Sequence, residues 1–215
     1  MPRTVLLVGA NRGIGFNLAH ALASRDWNVI ATVRPQTRSS DDPSFKEIEA
    51  VASQILEIDL AREQTIADAA QRFGDGPLDM LVNIAGIQAL ILFAQGPFLT
   101  AKYFHPNLKL ARGKLIDISS NAGSITMCKG EDLAYRMSKA ALNMLTVTLA
   151  KEYQMNDDNV TAIALNPGYV ATRLTNFRSR DKMEECIAGM VKVMESVDMK
   201  DSGSFLDWRG ETLPW

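Results

Sequence analysis

The chain has 215 residues, 47% hydrophobic and 22% charged, with a formal net charge of −2, the composition of a globular chain that can build one sizeable core; a single domain over 1–215 is expected. Its scattered basic residues leave no footprint for nucleic acid or an anionic membrane surface, and its longest apolar run is too short to span a bilayer. The two cysteines, Cys128 and Cys186, follow no disulfide or metal spacing, so free thiols, no metal and a cytoplasmic location are expected.

The first apolar run, TVLLV at 4–8, has the length and branching of a buried strand and leads directly into GANRGIG, with a helical pattern following over 14–24. Gly9, Gly13 and Gly15 stand at this strand-to-helix corner, with Asn11, Arg12 and Ile14 between them. A tight turn, a close approach of backbone to phosphate, and helix packing against strand each favour glycine there. The helix would turn its unpaired N–H groups and the positive end of its dipole toward a pyrophosphate. The second strand, NVIATV at 28–33, is followed by Arg34 rather than by the carboxylate that bonds a ribose 2′-hydroxyl. Arg34 and Arg12 together offer charge-assisted hydrogen bonds to a 2′-phosphate, which points to NADP. The polar stretch PQTRSSDDPS, 35–44, reads as a surface loop.

Further strands are expected at 53–58, 79–84, 114–119, 160–165 and 203–207, and further helices at 62–73, 98–111, 134–154 and 183–196. This alternation predicts an α/β architecture: a Rossmann-type doubly wound parallel sheet of seven strands with helices on both faces. In the helix over 134–154, Tyr135 and Lys139 stand four apart, which places a phenol and an ammonium on one face. The methionines and cysteine of 183–196 fit either a core stripe or an adaptable pocket wall. His20 and His105 have no Asp or Cys partner at useful spacing and read as packing or surface residues.

In order along the chain stand GANRGIG, IDL around Asp59, NIAG at 83–86, ISS at 118–120, YRMSK at 135–139 and NPGYVAT at 166–172. Over nearly its whole length the chain thereby resembles a classical short-chain dehydrogenase/reductase. Its ISSNAG and AYRMSKAALN stretches and its closing SGSFLDWRGETLPW are most similar to sniffer-like and C-factor-like carbonyl reductases, with fungal ketoreductases of the norsolorinic acid type nearby. The resemblance implies an NADPH-dependent oxidoreductase that reduces a ketone or aldehyde, a hydrophobic small-molecule carbonyl compound, by hydride transfer. It makes Tyr135 the general acid, Lys139 the cation that lowers the phenol's pKa and bonds the nicotinamide ribose, and Ser120, rather than Ser119, the donor to the substrate oxygen. It also implies cofactor contacts from Asp59 and Leu60 at the adenine and from Asn83, Ala85 and Gly86 at the adenosine ribose. Pro167, Gly168, Val170 and Thr172 would hold the carboxamide. All of these fall at carboxyl ends of predicted strands, where ligands of open α/β sheets bind.

The chain departs from the family's pattern at Val8, where a threonine usually braces the glycine loop, and at Ile84, where a second asparagine is usual. After Gly86 it is shorter than the family's crossover by on the order of twenty residues, and Phe93 stands where the asparagine of the family's catalytic tetrad would align. A right-handed crossover needs only about a dozen residues, so the sheet is expected to close through the helix at 98–111. The region through which relatives form dimers is shortened, which leaves a homodimer open. Two alternatives to the reductase are also open: a catalytically impaired nucleotide-binding or regulatory protein of the same fold, and a dehydratase or isomerase that uses Tyr135 as an acid.

Overall fold

Short runs of branched apolar residues become stable only when both faces of the sheet they form are covered. In the computed structural model, which describes residues 2–38, 42–84 and 92–215, seven such runs pair in parallel. They are β1 (Thr4–Val8), β2 (Asn28–Val33), β3 (Gln54–Glu57), β4 (Met80–Asn83), β5 (Lys114–Ile118), β6 (Thr161–Asn166) and β7 (Phe205–Asp207), in the order β3-β2-β1-β4-β5-β6-β7. The order reverses between β1 and β4, and this opens a crevice at the carboxyl ends of the strands.

Alternating side chains of each strand feed two cores. Val5 and Leu7 of β1 join Leu18 and Leu22 of α1 (Gly13–Ala23) and Met190 and Met194 of α7 (Met183–Ser196) on one face. Leu6 and Val8 join Ile66 of α4 (Glu63–Phe73), Phe104 of α5 (Leu92–Ala111) and Tyr153 of α6 (Leu133–Met155) on the other. Met190, Met194 and Cys186 of α7 are therefore core residues, with Met183 partly buried against them. Among the described residues no helix is long and apolar enough to cross a membrane.

Two expectations need correction. The stretch 35–44 is not one surface loop: α2 covers Pro35–Arg38 and α3 begins at Pro43, running Pro43–Glu49. Asp42 caps α3 by accepting from Ser44 N–H at 2.9 Å, and Pro43 stands where a helix needs no donor. The helix after β4 begins at Leu92 rather than 98 and runs through Pro97. Gly96 is not a break: a Cβ there would lie 2.9 Å from Leu60 Cβ, so close packing rather than a turn selects glycine. The crossover from β4 to β5 does close through this helix. Ala85, Gly86 and the side chain of Phe93 lie outside the described residues.

Candidate active site

The glycine loop leaves β1 through Gly9 (φ 91°) and Gly13 (φ 55°), both in the left-handed region that side chains resist. A Cβ on Gly15 would come 2.2 Å from the Gly9 carbonyl oxygen, so α1 can leave the loop only with glycine there. The brace missing at Val8 comes from the neighbouring strand: Thr32 Oγ1 accepts from Gly9 N–H at 2.9 Å. Asn11 Nδ2 donates to Ser44 Oγ at 3.0 Å and ties the loop to α3. Arg12 and Arg34 both stand exposed beside the loop, and Arg173, which sequence reasoning missed, joins them. Burial, then Arg173 and Arg34, lower the pKa of Arg12, while Asp42 opposes them. Three guanidiniums gathered with one carboxylate fit a dianionic 2′-phosphate, whose charge would offset their repulsion. Thr172 reaches the same corner, with its Cγ2 3.5 Å from where a Gly13 Cβ would stand.

At the start of α6, Lys139 Nζ lies 6.0 Å from the centroid of the Tyr135 ring. Tyr135 is hydrogen-bonded to Ser120. Burial pushes the phenol's pKa up; the Ser120 bond pulls it down, and Asp132 adds to the rise. Lys139 is buried and donates to the Ile118 carbonyl at 2.8 Å. Burial brings its ammonium down to about 8, with Asp117 opposing. Ser119 points inward and donates to Asn143 Oδ1, whereas Ser120 Oγ accepts from Ala122 N–H at 3.1 Å at the cleft.

Behind Lys139 runs a buried polar tie across four elements. Asp117 on β5 accepts from Asn83 Nδ2 at 2.9 Å and from the Thr146 hydroxyl at 2.7 Å, and Asn83 Oδ1 accepts from Thr100 of α5 at 2.7 Å. Burial pushes the Asp117 carboxyl up, against the pull of Asn83, Thr146 and Lys139. Asn83, expected at the adenosine ribose, uses one N–H and its oxygen in this interior tie, to Asp117 and from Thr100.

A cleft of about 1150 Å³ brings together Ile14, Ser120, Tyr135, Pro167, Gly168, Val170 and Thr172. The remaining loop residues Gly9, Asn11, Arg12, Gly13 and Gly15 lie outside its lining, as do Arg34, Asp59 and Leu60. Asp59 turns to its own segment, accepting from Ala61 N–H at 3.1 Å and pairing with Arg62 at 3.1 Å, and Leu60 packs under Gly96. Gly168 is needed where α7 and β7 close beneath the loop: a Cβ would meet Cys186 Sγ at 2.8 Å and Trp208 Nε1 at 2.9 Å. Burial pushes the Cys186 thiol up to about 11, which makes it a packing residue. His105 does have an acidic partner, Asp158 at 2.8 Å, brought from 53 residues along the chain, and it stacks on Tyr153 outside the cleft lining.

With this geometry in place, residues 3–183 match the short chain dehydrogenase family. The chain belongs to that family. A 1-hydroxy-2-glutathionyl-2-methyl-3-butene dehydrogenase of Rhodococcus is 30% identical over 233 residues, covering 99% of both chains. An NADPH-bound carbonyl reductase from chicken fatty liver superposes with a TM-score of 0.87 at 29% identity, covering 100% of this chain and 99% of the other. The carbonyl reductase Sniffer of D. melanogaster superposes with a TM-score of 0.87 at 24% identity over 100% of both chains, a likeness of fold. The protein is an oxidoreductase of the short chain dehydrogenase family.

Proposed function

We propose that this oxidoreductase uses NADPH to reduce ketones or aldehydes with an apolar body, with Ser120, Tyr135 and Lys139 as the catalytic set. The observation that carries this reading is the hydrogen-bonded Ser120–Tyr135 pair in the cleft with the buried Lys139 ammonium beside it. NADPH, when bound, supplies a hydride to the carbonyl carbon. The electron pair of the broken carbonyl π bond collects on oxygen, where the Ser120 and Tyr135 hydroxyls donate and Tyr135 gives up its proton. The positive charge of Lys139 favours the phenolate left behind and counters the burial that disfavours it.

Gly9, Gly13 and Gly15 with the amino end of α1 would hold the pyrophosphate, with Asn11 and Ile14 beside them. Arg12, Arg34 and Arg173 support NADP over NAD through the 2′-phosphate. Asp59 and Leu60 would border the adenine, and Pro167, Gly168, Val170 and Thr172 the carboxamide. Met127, Leu133, Leu174 and Leu213 in the cleft wall support an apolar substrate body. The NADPH-bound chicken relative lends the same support.

The test is to incubate the protein with NADPH and a panel of aromatic and aliphatic ketones and aldehydes. Carbonyl-dependent oxidation of NADPH with formation of the alcohol is expected. Tight NADPH binding without turnover of any carbonyl compound would overturn the reading.

A further inference from the structure

The substrate end of the cleft carries a charge asymmetry that hydride transfer does not require. Arg136, Arg178, Arg180 and Arg209 line it, against Asp132, Asp181 and Asp207. Two of these carboxylates face the same guanidinium: Arg209 lies 3.3 Å from Asp207 and 3.8 Å from Asp181. Arg136 donates to the backbone carbonyls of Gly130 and Glu131, at 2.8 and 2.9 Å, which leaves its charge uncompensated. The Arg180 guanidinium lies over the Tyr169 ring at 5.1 Å, and Arg178 makes no side-chain hydrogen bond or ion pair among the described residues. The lining thus carries four arginines against three carboxylates, an excess of one positive charge in a chain whose net charge is −2.

The segment bearing Arg178 and Arg180 is tied at its neck. Tyr169 N–H donates to Asp181 Oδ2 at 2.7 Å, and the Tyr169 carbonyl accepts from the N–H groups of Arg180 and Asp181 at 2.9 and 3.2 Å. Inside this closed loop Thr175 Oγ1 donates to the Val170 carbonyl at 2.9 Å, and Asn176 and Phe177 turn the chain in the left-handed region, with φ of 49° and 57°. Leu133 and Leu174 line the same cleft while 73% and 56% exposed, so apolar surface in water lies in the same wall as the arginines.

From this arrangement we infer that the substrate is a carbonyl compound with an apolar body and an anionic end group, a carboxylate or phosphate, and that Arg178 and Arg180 hold that end group. The inference rests on the reductase reading of the same cleft. A guanidinium offers a planar fork of donors that matches either anion, and stacking on Tyr169 restrains Arg180 before the ligand arrives. Cleft walls of low dielectric strengthen the attraction relative to open water.

The test uses an aryl ketone bearing a distal carboxylate and its methyl ester, assayed with NADPH. The acid is expected to have a kcat/KM about tenfold above the ester's, with the advantage shrinking as salt is raised. In the double variant Arg178→Ala/Arg180→Ala the acid-over-ester ratio should fall to about one; both positions are exposed, so the fold should tolerate the change. Equal kcat/KM for acid and ester in the wild type, or an unchanged ratio in the double variant, overturns the inference. If neither ketone is turned over, titration of both into NADPH-loaded protein decides. Binding that selects the acid and depends on Arg178 and Arg180 removes the reductase reading and keeps the anion site; absence of selectivity removes both.

Discussion

At the glycine loop, charge stands in water: Arg12, Arg34 and Arg173 are all exposed, their mutual repulsion softened by solvent and by Asp42. At the start of α6, charge is interior: Lys139 and Asp117 are buried and face each other through a frame of Asn83, Thr146 and Ile118. Exposed charges cost little to keep and are screened by salt, so they suit the choice between two cofactors that differ by one phosphate. Buried charges persist only while every partner is in place, and in exchange their pKa values can be moved into a useful range. The two regions therefore answer differently to mutation.

The largest effect is expected at the buried region. Tyr135→Phe should lower kcat for carbonyl reduction by about a thousandfold, while a fluorescence titration finds NADPH affinity changed by less than about threefold. A loss of under tenfold would remove Tyr135 from its role. At the exposed region, Arg34→Asp should weaken NADPH by about thirtyfold or more and leave NADH nearly unchanged, as measured by parallel titrations. An equal loss for both cofactors would break the contrast.

Asp117→Asn keeps one acceptor oxygen but turns the other into an NH2 donor, so the bonds from Asn83 and Thr146 cannot both persist unchanged, and it should cost about 2 kcal/mol in urea unfolding. It also removes the charge that opposes burial at Lys139. In the wild type the ammonium is brought down to about 8, so kcat/KM should fall as pH rises above that value; in Asp117→Asn the fall should begin at lower pH. The stability link has a definite sign. Lys139 in the folded chain is depressed below its ordinary 10.5, so the unfolded chain binds the extra proton between about 8 and 10.5. The penalty of burying this ammonium is full below that window and fades as pH rises through it, and Lys139→Met should lack this pH dependence. The smallest effect is expected from Thr32→Val, which deletes the brace at Gly9 and should cost about 1 kcal/mol by thermal or urea unfolding.

Features whose causes are local in sequence were readable. The parallel sheet follows from alternating strand and helix patterns, and the Tyr135–Lys139 face follows from a four-residue spacing. α5 begins at Leu92 rather than at the expected 98, and Gly96 continues the helix because it packs on Leu60, a contact the sequence does not display. α3 lay hidden in polar composition, although Asp42 before Pro43 was a helix-start signal in plain view. Thr32, Arg173 and Asp117 could not be singled out in the same way. Their partners Gly9, Arg12 and Asn83 come from other strands and loops, and only the folded sheet brings them together.

The most direct measurement is a titration of the purified protein with NADPH and with NADH, followed by nicotinamide fluorescence. NADPH should bind about tenfold tighter or more, because only its 2′-phosphate can engage Arg12, Arg34 and Arg173. Equal affinities would contradict the role of the arginines, and failure to bind either nucleotide would contradict the cleft as a nicotinamide site.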